Sequence, residues 1–273
     1  MSNSGRLACL GFVAVAACGP ARTTFVRYPG ASPTFDRAAS DPKAVAIADQ
    51  VIAAAGGEAQ WNQVKQLRWT EQVANNGQVV IDLDEAWDRW NGRQYGRLHR
   101  DPQDVVVMRH LYDDDGGAYV GTKTLHKITG SDEATAMSEA SKRWQFDTAA
   151  LSMQFLLEEP GVKLAYSGET AGDAGKPPLD DIAVTFDPKD ATRTTAYHVV
   201  VNRETHQIER IEIVAADHPD QGRVAYHLAQ WQDVHGLKFP TVLENVGLKG
   251  EVISFKDIAS SEPDETLYVP VVQ

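Results

Sequence analysis

The chain has 273 residues, with 26 basic against 38 acidic side chains and a formal net charge of −12. This balance argues against a nucleic-acid partner, because phosphate binding needs clustered Lys and Arg. The only two cysteines, Cys9 and Cys18, lie in the first 18 residues, so the body has no cysteine for a disulfide, a nucleophile or a metal ligand.

The N-terminus reads as a targeting segment. Arg6 is followed by an apolar run from Leu7 to Ala17, too short for a membrane span of about 20 residues. Val15-Ala16-Ala17-Cys18 resembles the lipobox of bacterial lipoproteins, with small residues at −1 and −2 and an aliphatic at −3. The resemblance implies a signal peptide over 1–17, cleavage before Cys18, and lipidation of its thiol, with palmitate among the acyl chains. A plain secretory signal cut after Ala-Ala-Cys is the alternative. Gly19 carries no aspartate-type retention signal, which suggests the outer membrane. Residues 18–40 hold three prolines and no sustained periodicity, the composition of a flexible tether. Residues 41–273 are then expected as one domain.

Along that domain, Asp41 is an N-cap and Pro42 the first helical residue. Val45, Ala48, Ile52 and Ala55 follow at helical spacing, and Gly56-Gly57 stops the helix. The period then changes to two. Leu67, Trp69 and Val73 share one strand face, and Val79, Ile81, Leu83 and Trp87 share a face of the next strand, across the hairpin signal "ANNGQ". Alternation recurs at Val105/Val107, Val162/Leu164/Tyr166, Ile182/Val184/Phe186, Tyr197/Val199/Val201, Val224/Tyr226/Leu228 and Ile253/Phe255. Strands following strands directly predict an antiparallel sheet. Between them, Ser131 is expected to cap one helix. Asp147 is expected to cap a second, with Phe146 and Leu151 as a staple and Pro160 as its end. These helices are the available cover for one sheet face. The fold class is therefore α+β, a large curved antiparallel sheet wrapped on a few helices.

Three stretches carry a resemblance to LolA-like domains, the superfamily that includes LolA, LolB and RseB. They are "IADQVIAAAGGEAQWNQVKQLRWT", "YHVVVNRETHQIERIEI" and "WQDVHGLKFPTVLE", in the superfamily's order. The resemblance implies an incomplete β-barrel, a periplasm-facing place in the bacterial envelope, and a lipid, lipoprotein or acyl chain as partner.

Enzyme signatures are missing: the chain has no His-Glu-x-x-His, Gly-x-Ser-x-Gly or Gly-x-Gly-x-x-Gly. "DDDGG" at 113–117 places Gly117 where a calcium loop needs its third ligand, so it reads as a solvated turn. No catalytic residue, metal ligand or cofactor is assigned. The expected ligand contacts are Trp69, Ile81, Trp87, Leu151 and Phe155, between the sheet and a helix at 147–159. A hydrophobic small molecule or lipid in that cavity is the leading reading, with membrane attachment through the anchor. An envelope protein as partner is the second, and a hydrolase with a dispersed His/Asp site the third.

Overall fold

A computed structural model describes residues 25–113, 115–170, 178–214 and 223–271. Cys18 and the signal segment lie outside the described residues. Thirteen strands form one sheet in the order β6-β5-β4-β3-β2-β1-β13-β12-β11-β10-β9-β8-β7. In the first half these are β1 (Gln66–Asn75), β2 (Gln78–Asp88), β3 (Arg93–Leu98), β4 (Val105–His110), β5 (Gly116–Val120) and β6 (His126–Lys127). In the second they are β7 (Val162–Thr170), β8 (Leu179–Phe186), β9 (Ala196–Asn202), β10 (Ile208–Val214), β11 (Arg223–Val234), β12 (Leu237–Asn245) and β13 (Glu251–Ser261). Every pairing is antiparallel.

The topology is two meanders. The chain runs outward from β1 to β6 and crosses to the opposite edge through α3 (Ser131–Leu156). It then returns from β7 to β13, which pairs with β1. This is the expected curved, open half-barrel. Two-residue turns at Asn76-Gly77 and His235-Gly236 have φ of 50°/81° and 53°/83°, the left-handed pair that matches the twist of a tight hairpin.

Helix α1 (Pro42–Ala54) starts as its sequence requires, Asp41 Oδ1 accepting from the Lys43 and Ala44 amides at 2.7 and 3.4 Å. One helical turn, α2 (Glu58–Trp61), follows. Both pack with the C-terminal half of α3 on the concave face, where Leu67, Trp69, Val73 and Trp87 join Ile182, Val199, Leu243 and Phe255 in the main core. Val106, Met108 and Leu125 form a smaller cluster with Tyr95 and Tyr119, so β4 is buried on both faces.

Four expectations are corrected. The helical stretch 131–156 runs on through Asp147: Gly130 precedes it without a side-chain cap, and the break between its two pieces falls at Ser152 (φ −129°, ψ 15°) instead of before Asp147. There Thr148 Oγ1 donates to the Trp144 carbonyl and Ser152 Oγ to the Thr148 carbonyl, at 2.6 and 2.5 Å. Such back-bonding bends helices. Asp147 lies inside the helix, held by Arg143 one turn earlier at 3.2 Å, and caps nothing. Residues 25–40 lie on the body where a loose tether was expected, because their aromatics find partners. Tyr28 is buried and donates to Asp187 at 3.0 Å, and Phe25 meets Trp90 edge-on. Finally, the β1–β2 register shifts beside Val73, which leaves Val79 exposed and brings Val80 to the concave clefts.

Among the described residues no helix is long and apolar enough to cross a membrane.

Candidate functional site

The two halves of α3 differ in what they present to the sheet. From Trp144 to Leu156 most side chains are fully enclosed. From Asp132 to Ala140 the residues lining the space beneath the helix include the small Thr135, Ala136 and Ala140 beside Asp132 and Glu139, and on the sheet side β3 carries Gly96. Small residues on both sides leave a cleft of about 560 Å³, walled by Leu83, Leu98, Val105, Val107 and Ile128. This is within the usual size of ligand cavities. A second cleft of about 370 Å³ lies beyond Arg143, with Phe146, Ile213, Tyr226 and Ile253 around it. Val80, Ile81 and Arg143 border both clefts.

Glu85 and Gln94 make the floor of the larger cleft polar, and Glu85 leads to a buried group of acids behind it. Glu71, Glu85 and Asp147 are all buried, and one oxygen of each lies within 4.8 Å of the others. Glu71 and Glu85 occupy the concave face of β1 and β2, in the alternation that carries Trp69, Leu83 and Trp87. Arg143 donates to both Glu71 oxygens, from Nε to Oε2 at 2.8 Å and from Nη2 to Oε1. Gln94 donates to Glu85 at 3.4 Å and accepts from Arg109 at 2.5 Å. Burial, then the neighbouring Glu71, pushes the Glu85 carboxyl up to about 8. Burial, Glu71 and Glu85 likewise raise Asp147 well above the carboxylate range. Against the pull of burial, Asp147 and Glu71 hold the Arg143 guanidinium above its ordinary value. The three carboxylates have the spacing of ligands around one cation, although Arg143 already neutralises Glu71.

Of the five expected contacts, Ile81 borders the two larger clefts. Trp87 and Phe155 border a void of about 90 Å³ beside Trp61 and the buried Arg89. Phe155 stacks on Trp61 at 4.6 Å, with Phe239 at 5.5 Å. Trp69 and Leu151 are enclosed in the core. The larger space thus lies under residues 132–143 of α3, not under 147–159. The signals that mark it in the sequence are two acids on otherwise apolar strand faces, Glu71 and Glu85, and a glycine in mid-strand.

Among the described residues, His198 and His99 pair with carboxylates without forming a Ser-His-Asp relay. Ser167 Oγ and Asp181 Oδ1 both approach Nδ1 of His198, at 3.5 and 2.8 Å. A relay from Asp to Ser needs both ring nitrogens. His99 sits between Asp84 and Asp104, at 3.0 and 3.5 Å. Glu209 accepts from Asn202 at 2.9 Å in the β9–β10 hairpin.

The architecture is an α+β open half-barrel, with an apolar cleft between its concave sheet and its crossing helix. No protein-family model matches the chain, and no curated protein matches it in sequence. Solved structures similar to it include a DUF1329 family protein from Desulfovibrio piger, 15% identical with a TM-score of 0.48, covering 84% of this chain and 98% of that one. A domain named for outer-membrane lipoprotein sorting, from Vibrio parahaemolyticus, is 9% identical with a TM-score of 0.44, covering 83% and 96%. A LolA superfamily protein from Nitrosomonas europaea is 11% identical with a TM-score of 0.37, covering 81% and 97%.

Proposed function

We propose that the protein is an envelope lipoprotein, anchored through Cys18 and facing the periplasm, that holds an acyl chain or similar apolar ligand in the cleft under residues 132–143. The observation that carries the reading is a space of about 560 Å³ with walls of Leu, Val and Ile, next to a core that is otherwise filled. Burying an apolar chain there contributes roughly 25 cal/mol per Å² removed from water. The test is saturable binding of a neutral long-chain alcohol, followed by displacement of a fluorescent apolar probe. Ala136→Trp, which fills the cleft from the helix side, should weaken it at least tenfold while the melting temperature stays within a few degrees. Binding unaltered by that substitution would remove the cleft from the account. For the anchor, Cys18→Ser should move the protein from the membrane fraction to the soluble one in a bacterial host.

A second reading, contact with an envelope protein, draws on Val246 and Leu248, which are 53% and 61% exposed in the β12–β13 turn. That turn meets the β1–β2 hairpin through Asn76 and Gly250. Single exposed apolar side chains are common, however, and the open cleft weighs more.

A further inference from the structure

The apolar cleft ends on a polar floor that the binding of a plain acyl chain does not use. Glu85 is 3% exposed, borders the cleft, and has no hydrogen-bond partner at Oε2. Asp147 is fully buried; its Oδ2 is ion-paired with Arg143 Nε at 3.2 Å, and its Oδ1 has no hydrogen-bond partner. Two buried acceptors, Glu85 Oε2 and Asp147 Oδ1, then have neither donor nor cation, which is costly unless something supplies one. The charges are also unequal. Glu71, Glu85 and Asp147 face Arg143 and Arg109, three possible anions against two cations, and Arg109 is bonded to Gln94. One positive charge, a proton or a bound cation, completes the set.

Access comes through β3. Gly96 pairs directly with Glu85 across the β2–β3 ladder, and its φ is one that any residue adopts. A Cβ built there would stand 3.9 Å from Glu85 Oε1 and from Leu83, an ordinary contact. The backbone therefore does not demand glycine; what its missing side chain leaves is space above Glu85. Glycine in a strand interior weakens the strand and often marks the close approach of a ligand.

We infer that the cleft takes an amphiphile whose apolar chain ends directly in a primary ammonium, the chain lying between β2–β4 and α3 and the ammonium meeting Glu85 at the floor, with Asp147 behind it. The inference rests on the cleft reading above and adds the ligand's charge. One oxygen of Glu85 lies within 4.8 Å of one of Glu71 and one of Asp147, so an ammonium placed at ~2.8 Å from Glu85, the usual length of a charge-assisted N–H···O bond, also feels the two carboxyls behind it. A primary ammonium brings one charge and three donors to that point. A fatty-acid carboxylate would instead bring a fourth anion. Because Glu85 is held up to about 8 by burial and Glu71, the ammonium displaces a proton at neutral pH. Its binding should therefore strengthen as pH rises toward 8. The other groups facing Glu85 are Gln94 from β3, Arg109 from β4, and Arg143 and Asp147 from α3, while His99, Arg100, Asp132 and Glu139 border the cleft farther out.

The experiment compares dodecylamine, dodecanol, dodecanoate and dodecyltrimethylammonium below their micellar concentrations, by displacement of a neutral fluorescent probe at pH 6, 7 and 8. Dodecylamine should bind at least tenfold tighter than dodecanol at pH 8, with a smaller margin at pH 6. Dodecanoate should be the weakest, and dodecyltrimethylammonium, which has no N–H, close to dodecanol. Glu85→Gln should bring the dodecylamine-to-dodecanol ratio toward one. Gly96→Leu should weaken all four ligands together. If wild-type protein binds dodecanol but favours dodecylamine no more than dodecanoate, the ammonium inference is wrong and the cleft reading stands. If no ligand binds, the cleft reading falls as well. An amine preference that survives Glu85→Gln, or binding of Ca²⁺ at the floor in place of the amine, also overturns the inference. The wild-type comparison needs no variant to fold.

Discussion

Glu85 shows how one side chain ties the core to the cleft. It stands on an apolar strand face between Leu83 and Trp87, where burial and Glu71 favour its neutral form. An unfolded Glu titrates near 4.3, so between about 4.3 and 8 the folded state holds a proton that the unfolded state has lost. Stability contributed by this group is full below the unfolded value and declines as pH rises to about 8, by up to ~1.4 kcal/mol per pH unit. Asp147, shifted in the same direction, adds to the decline. Urea denaturation of wild type from pH 5 to 8 should show this loss, and Glu85→Gln, neutral throughout, should flatten it. An equal slope in the variant would mean that Glu85 is ionised in the folded protein. The acid is visible in the sequence only as a break in an apolar alternation. Its partner Asp147 comes from a residue 62 positions later on a different element, which strand periodicity cannot reveal.

Elements with local causes were the legible part. The cap at Asp41, the Asn76-Gly77 turn and the alternating strands follow from short-range chemistry and stand where expected. The helix break expected at Asp147 falls at Ser152 instead, because Asp147 has the chemistry of a cap but is held inside the helix by Arg143 one turn back and stands beside the sheet's carboxyls. The end of α1 shows the converse, a local stop signal with a tertiary duty. Gly56 has φ +121°, and a Cβ there would overlap the carbonyl oxygen of Gly236 in the β11–β12 turn. Just beside it, the Lys238 amide donates to the Ala55 carbonyl at 2.8 Å. Gly56→Ala should therefore separate the helix end from that hairpin and cost about 1–3 kcal/mol. Gly57→Ala has open space around its Cβ and only backbone strain to bear, so it should cost less. Chemical denaturation of the two variants checks the order. Equal losses would show that the Gly56–Gly236 approach is immaterial.

At the scale of the molecule, the chain closes on itself without closing the barrel. β13 returns to pair with β1, whereas β6 and β7 remain the two edges, and α3 runs between them across the concave face. That crossing creates the cleft: a helix with a bulky C-terminal half fills one part of the half-barrel, and its small-residue N-terminal half leaves the other part open. The sequence showed the bulky half clearly, and for that reason it drew the expected ligand site to 147–159. Space is a property of what is missing, here the side chains of Gly96, Ala136 and Ala140, and apolar patterns do not register it. The most direct test is photo-crosslinking with a long-chain alcohol carrying a diazirine near its terminus, mapped by peptide mass spectrometry on the full chain. Labels are predicted on residues 80–107 of β2–β4 and on 131–143 of α3, and an excess of unlabelled alcohol should abolish them. Labels confined to the outer face of the sheet or to 147–159, or labelling that no competitor reduces, would contradict a ligand in this cleft.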